Sequence, residues 1–212
     1  MSTESEGIVG LYQRHAAVWD RLRSPGILFE KAWLDRFLQL IPAGGPVLDV
    51  GCGAGLPIAG YFTGQGFGVV GVDSSGPLIE LARSRFPQQA WIVADMQRLD
   101  LGRKFAGIIA WDSFFHLTPE DQEAMFPVFA RHAAPGAALM FTSGSQRGSV
   151  VGEFEGEPLY HGSLDPAEYR TLLDRSGFGV VDYVESDPAC GEQTIWLARR
   201  LGEEKPGGAV LE

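Results

Sequence analysis

Cysteine is scarce in this chain of 212 residues, which holds only Cys52 and Cys190. Two thiols are too few for a disulfide framework or a thiolate zinc site, and a reducing cytoplasm is the expected compartment. Long apolar runs are missing too, since no stretch approaches the roughly 20 residues of a membrane span. The start, Met1-Ser2-Thr3-Glu4-Ser5-Glu6, lacks the basic and apolar segments of a secretory leader. Basic residues are the minority, 17 Lys and Arg against 27 Asp and Glu, giving a net charge of -10 and a pI near 4.9. A surface of that sign repels phosphate backbones, and no Lys/Arg cluster offsets it, so neither nucleic acid nor a membrane is an expected partner. What remains is 45% hydrophobic and 21% charged residues, the balance of a soluble globular domain of ordinary to large size.

Short β-rich runs alternate with longer helical patterns. Strands are expected at Pro46–Val50, Gly68–Val72, Ala90–Ala94, Gly107–Trp111, Ala137–Thr142, Gly179–Glu185 and Gln193–Ala198. Several are continuous apolar runs, as in a sheet covered on both faces. Helices are expected over Ile8–Leu22 and Ile27–Ile41, before the first strand. Further helices carry start signals at Ser74 or Ser75, at Thr118-Pro119-Glu120-Asp121 and at Asp165-Pro166-Ala167-Glu168, with Gly177 as a stop. This order predicts one doubly wound α/β domain spanning residues 1–212. Its mostly parallel, seven-stranded sheet closes in an antiparallel edge hairpin. Residues 1–7 and 202–212 are read as flexible tails and 8–42 as N-terminal helices.

The densest chemistry lies in Asp49-Val50-Gly51-Cys52-Gly53-Ala54-Gly55, where an apolar strand meets an acid and three alternate glycines. Glycines there allow a sharp turn and close approach of a ligand, and a helix start offers free N–H groups. The second strand ends in Asp73, 18 residues beyond Gly55, where a doubly wound fold sets a carboxylate against a ribose diol. The third run ends Ala94-Asp95-Met96, the fourth Trp111-Asp112-Ser113.

Together these motifs resemble the class I S-adenosylmethionine (SAM)-dependent methyltransferases, most closely their small-molecule branch, from about Tyr12 to Arg199. The resemblance implies a Rossmann-like fold, S-adenosyl-L-methionine as cofactor and a small-molecule acceptor. It implies that Gly51, Gly53 and Gly55 line the methionine part, with Asp49 orienting its amino group. Asp73 would hold the ribose, and Asp95 and the Met96 backbone would meet the adenine, with Leu78 over its face. Trp111 would lie near the sulfonium, and Tyr12, on a lid helix, near the SAM carboxylate. Leu56-Pro57 departs from the family's small polar residue at this point.

On the acceptor side, His116 follows the fourth strand and is a candidate general base or a structural hydrogen-bonding group. Tyr160 and His161, after the fifth strand, are candidate substrate contacts. Cys52, between two glycines, is read as packing, and no metal site is assigned. Two alternatives stand beside methyl transfer. A nicotinamide-dependent oxidoreductase would leave Asp49 and Asp95-Met96 unexplained, and a non-catalytic SAM-binding protein would lack an acceptor pocket.

Overall fold

The computed structural model describes residues 3–23 and 28–202. Seven strands form one sheet in the order β3-β2-β1-β4-β5-β9-β8, with β1 Val47–Val50, β2 Val69–Asp73, β3 Ala90–Val93, β4 Phe105–Ala110, β5 Ala133–Ser143, β8 Phe178–Asp187 and β9 Gln193–Arg200. The first five pair in parallel, and β9 runs antiparallel between β5 and β8. All seven expected strands are present, and the expected hairpin of the last two sits at the sheet edge. Strand β1 is buried along its length and β4 everywhere but at the half-buried Ala106, because helices cover both faces.

Side chains alternate between the two layers. Leu48, Val70, Ile108, Leu139 and Trp196 face α6 (Pro119–His132) and α7 (Pro166–Arg175), where Phe126, Phe129, Tyr169 and Leu173 are buried. Val47, Val69, Ile109, Met140 and Leu197 face α3 (Lys31–Gln39), α4 (Ile58–Gly64) and α5 (Gly76–Arg85). Helix starts follow the sequence signals. Thr118 Oγ1 accepts from Asp121 N at 3.2 Å, and Glu168 closes its capping box on Asp165 N at 2.8 Å. Ser75 occupies the N-cap of α5, yet its hydroxyl donates to the Tyr12 carbonyl at 3.4 Å instead of capping.

Four expectations are corrected. A second, two-stranded sheet stands where the sequence reads as loop-rich: β6 Gly148–Phe154 pairs antiparallel with β7 Glu157–Ser163. Its two-residue turn, Glu155-Gly156, has both φ values positive (53° and 78°), the twist-matched geometry of a tight hairpin. The N-terminal segment is two helices, α1 Thr3–Arg14 and α2 Ala16–Arg23, broken where Arg14 and His15 both reach Glu157 of β7. Residues 3–7 belong to α1 and are no tail, because α1 packs Ile8 and Leu11 on Tyr160 of β7. Helix α3 starts at Lys31, with 28–30 in a turn; Ile27, like residues 1–2 and 203–212, lies outside the described residues.

Candidate functional site

In a doubly wound sheet a ligand cleft opens where strand order reverses, here between the carboxyl ends of β1 and β4. A cleft of about 1110 Å³, mouth included, lies at that point. Its floor is the turn after β1, its far side the ends of β2 and β3, and its roof α1 and α2.

The floor turn is tied to β2: Gly51 N and Cys52 N both donate to the Val72 carbonyl, at 2.7 and 3.0 Å. Gly51 sits at φ 75°, and a Cβ there would collide with Ser113 Cβ, so the strand-to-helix turn demands glycine. A Cβ added at Gly53, which sits at φ 53°, would lie in van der Waals contact with Trp19, 3.6 Å from its Nε1. Gly55 packs against Trp91 and Phe86 and is absent from the cleft lining, so its part is backbone geometry. Cys52 is buried, and its thiol is pushed well above the ordinary range by burial, which removes nucleophilic character.

Asp73 Oδ2 accepts from Gly53 N at 2.9 Å and Oδ1 from Ser75 N at 2.8 Å, so one carboxylate stitches the β1 turn to the β2 turn. Burial pushes its pKa up, against the pull of those N–H groups. Asp49 is buried beneath the cleft and is pushed up to about 7 by desolvation first and Asp73 second, while Arg23 pulls it down. Asp95 lines the cleft half-exposed, with Oδ1 accepting from Gln97 N at 2.9 Å; Met96 and buried Leu78 line it too.

Tyr12 lines the cleft edge-on to Trp19, ring centroids 5.2 Å apart, with its hydroxyl 2.9 Å from His116 Nε2. His116 Nδ1 lies 2.8 Å from the Tyr160 carbonyl oxygen. A carbonyl can only accept, so Nδ1 carries the hydrogen and Nε2 accepts from Tyr12. Burial lowers His116 to about 4, keeping it neutral at physiological pH. Trp111 lines the cleft almost fully buried, and its Nε1 has no hydrogen-bond partner among the described residues.

Tyr160 and His161 do not line the cleft. Tyr160 is buried against Ile8 and Leu11, and His161 is half-buried with its ring 5.1 Å from that of His116. The hairpin turns Tyr160 toward α1 and sets the His161 ring beside that of His116.

Sequence reasoning missed Arg23, at the end of α2. Arg23 pairs with Glu30 and lies 3.3 Å from Asp112 Oδ2, while Gln193 Nε2 donates to Asp112 Oδ1 at 2.9 Å. Asp112 takes φ 49°, an uncommon left-handed conformation just after β4, and burial pushes its carboxyl up to about 6. A lone arginine near a predicted lid carries no sequence signal of this pairing, because its partners sit seven and 89 positions away.

Fold and cleft together define an α/β protein built to take a nucleotide-sized cofactor at its switch point. Residues 47–136, from β1 into β5, match the model of a methyltransferase domain. The chain is 32% identical over 101 residues to the dTDP-3-amino-3,4,6-trideoxy-alpha-D-glucopyranose N,N-dimethyltransferase of Streptomyces venezuelae, covering 47% of this chain and 42% of that protein. An O-methyltransferase of Pyrenophora dematioidea is 25% identical over 198 residues, 84% of this chain and 73% of that one. The chain therefore spans less than half the length of the first of these relatives and about three quarters of the second. Among solved structures, the magnesium protoporphyrin IX methyltransferase of Synechocystis PCC 6803 with bound SAM superposes with a TM-score of 0.69 at 19% identity, covering 94% of this chain and 98% of that one. In fold the chain is thus similar to SAM-dependent methyltransferases, and its residues 47–136 are similar to a methyltransferase domain.

Proposed function

We propose that this cleft binds SAM and that the protein transfers its methyl group to a small-molecule acceptor in the cytoplasm. The observation that carries the reading is the pairing of Gly53 N with Asp73 Oδ2 beside the switch point, which joins a glycine turn to a ribose-type carboxylate. No helix among the described residues is long and apolar enough to cross a membrane.

The residues present fit the donor. Each Asp73 oxygen spends one lone pair on a backbone N–H and keeps another for a diol. Asp49, once ionised, is an acceptor for the ammonium of the methionine end. Arg23 lies close enough to pull on Asp49 electrostatically, which makes it the cation for the carboxylate of that end. Asp95 and the Met96 backbone stand at the end of β3 for the adenine, beside Leu78. When bound, the sulfonium supplies an electrophilic methyl group with a good leaving group.

The chain's own work is then positioning and exclusion of water. Tyr12 and Trp19 roof the cleft, and His116 holds Tyr12 there through its neutral Nε2. A buried imidazole lowered to about 4 is a weak base at neutral pH, so His116 is assigned a positioning role. The amino-sugar and O-methyltransferase relatives support an acceptor of sugar-like size and polarity. The test is release of S-adenosylhomocysteine (SAH) from SAM, screened over small phenols, amines, thiols and carboxylates. Turnover with any of them supports the reading; a protein that binds SAH tightly yet turns over none is a SAM-binding protein without transferase activity.

A further inference from the structure

Adjoining the cofactor end, and sharing Arg23 with it, the cleft reaches a second polar cluster at the carboxyl end of β4 and the start of β9. Arg23 is the cation within it. Facing it are Asp112, bonded to both Arg23 and Gln193, and Glu30, wholly buried, with one oxygen on Arg23 and the other without a partner among the described residues. Asp187 stands beside the cluster, with Oδ2 held by Trp33 Nε1 at 2.8 Å. Among the described residues one guanidinium thus meets one wholly buried and one largely buried carboxylate, with a third close by. An unbalanced buried charge is costly, so a site with this count is set to take one more cation. Asp112 is the carboxylate of the set that lines the cleft, and two of its four lone-pair sites are free after Arg23 and Gln193 are served. Beside it Trp111 lines the same cleft, and its buried Nε1–H has no hydrogen-bond partner among the described residues and calls for an acceptor.

We propose that this cluster is the acceptor subsite and that the acceptor is a cationic amine, held by Asp112, with a neighbouring hydroxyl or carbonyl oxygen on Trp111 Nε1. The inference rests on the methyltransferase reading. Asp112 also accounts for the proton that an ammonium must lose before its nitrogen can attack. A carboxyl near 6 takes that proton from R–NH3+, leaving R–NH2. The nitrogen lone pair then forms the N–C bond as the C–S bond of the donor breaks, giving R–NH2CH3+ and SAH. Asp112 returns its proton to solvent. Among the described residues Arg23 and Glu30 are the charged groups acting on Asp112, Asp187 stands nearby at Cys190, and the excess of acid favours the cation on arrival.

The experiment is calorimetry on the protein saturated with SAH, using cyclohexylamine and cyclohexanol as a pair matched in shape and differing in charge, at pH 7.5. Saturation with SAH is verified first, so failure of the cofactor reading shows itself before any amine is added. Cyclohexylamine should bind roughly tenfold or more tighter than cyclohexanol, and Asp112→Asn should abolish that preference without touching cyclohexanol. Asparagine tolerates the left-handed backbone at this position, so the variant should fold, which a thermal melt checks. Glu30→Gln, which removes charge behind Arg23, should reduce the preference by a smaller factor. Equal binding of the two probes to the wild type, or an amine preference that survives in Asp112→Asn, overturns the proposal.

Discussion

The Tyr12 hydroxyl lies 2.9 Å from His116 Nε2, so a neutral imidazole at the end of β4 fastens the helix that roofs the cleft. The ring's other nitrogen is fixed on the Tyr160 carbonyl of β7, and Ser5 Oγ donates to the His116 carbonyl at 3.4 Å. His116 thus joins α1, β4 and the hairpin at one point.

A fastening role has consequences different from those of a base. His116→Gln keeps a polar side chain but cannot serve both partners. Loss of about 1–2 kcal/mol of buried hydrogen bonding should lower Tm by roughly 2–8 °C and speed proteolysis within residues 3–23. Methyl transfer should fall by less than about tenfold, because a group near 4 is a poor proton acceptor at neutral pH. A rate loss of a hundredfold with unchanged melting and cleavage would restore the base.

Asp49 links cofactor binding to pH. Its carboxyl, near 7 in the free protein, must be ionised to hold an ammonium. SAH affinity should therefore be flat above about pH 8 and weaken by up to about tenfold per unit as pH falls below 7. Asp49→Asn should remove that slope in calorimetry at pH 5.5 to 8.5. In the free protein the sign runs the other way. A carboxyl raised from 3.8 contributes stability that is complete below 3.8 and is lost as pH rises through 7. Asp49→Asn should accordingly gain Tm relative to wild type at pH 8 compared with pH 5. His116 opposes this at the acid end, since lowering from 6.5 to about 4 gives stability present above 6.5 and lost as pH falls toward 4.

Glu157 holds the roof from outside, paired with Arg14 and with His15 Nε2 at 2.6 Å. Arg14 and His15 draw its carboxyl down to about 2. The pairs are largely exposed, so Glu157→Gln should leave global Tm within about 1 °C while raising protease cleavage in α1 at low salt. Salt at 0.5 M should erase the difference between variant and wild type.

Gly51→Ala tests the floor. The position combines φ 75° with a Cβ that would strike Ser113, whose Oγ donates to the Val50 carbonyl at 2.7 Å. Destabilisation of roughly 1–3 kcal/mol by chemical denaturation is expected, with SAH binding weakened in the fraction that folds.

The glycine-turn side of the proposed cleft was legible because its signals are local. Strands buried on both faces must be apolar throughout, so β1, β2 and β4 stood out, and the carboxylates that end them fall where the chain turns into the cleft. The roof and acceptor end are tertiary. The Arg23–Asp112 contact spans 89 positions and the Tyr12–His116 contact 104, and no periodicity encodes either. The hairpin was hidden for another reason. Every residue of β6 from Gly148 to Glu153 is exposed, so it lacks an apolar face, and only Glu155-Gly156 marked its turn. Tyr160 read as a candidate substrate contact from its place after the fifth strand, and its packing under Ile8 and Leu11 of α1 carried no sequence signal.

The central claim, that SAM binds between the glycine turn and Asp73, is tested most directly by titrating SAH into wild-type protein and Asp73→Ala at pH 8. Two hydrogen bonds to a charged group are removed in the variant, so its affinity should fall by roughly a hundredfold from wild type. The Gly53 N and Ser75 N donors that Asp73 holds are freed at the same time, so the variant's melting curve is recorded alongside to confirm that the folded state is the one titrated. Saturable one-to-one binding to wild type with that loss supports the account; absent binding, or equal affinity in the folded variant, contradicts it.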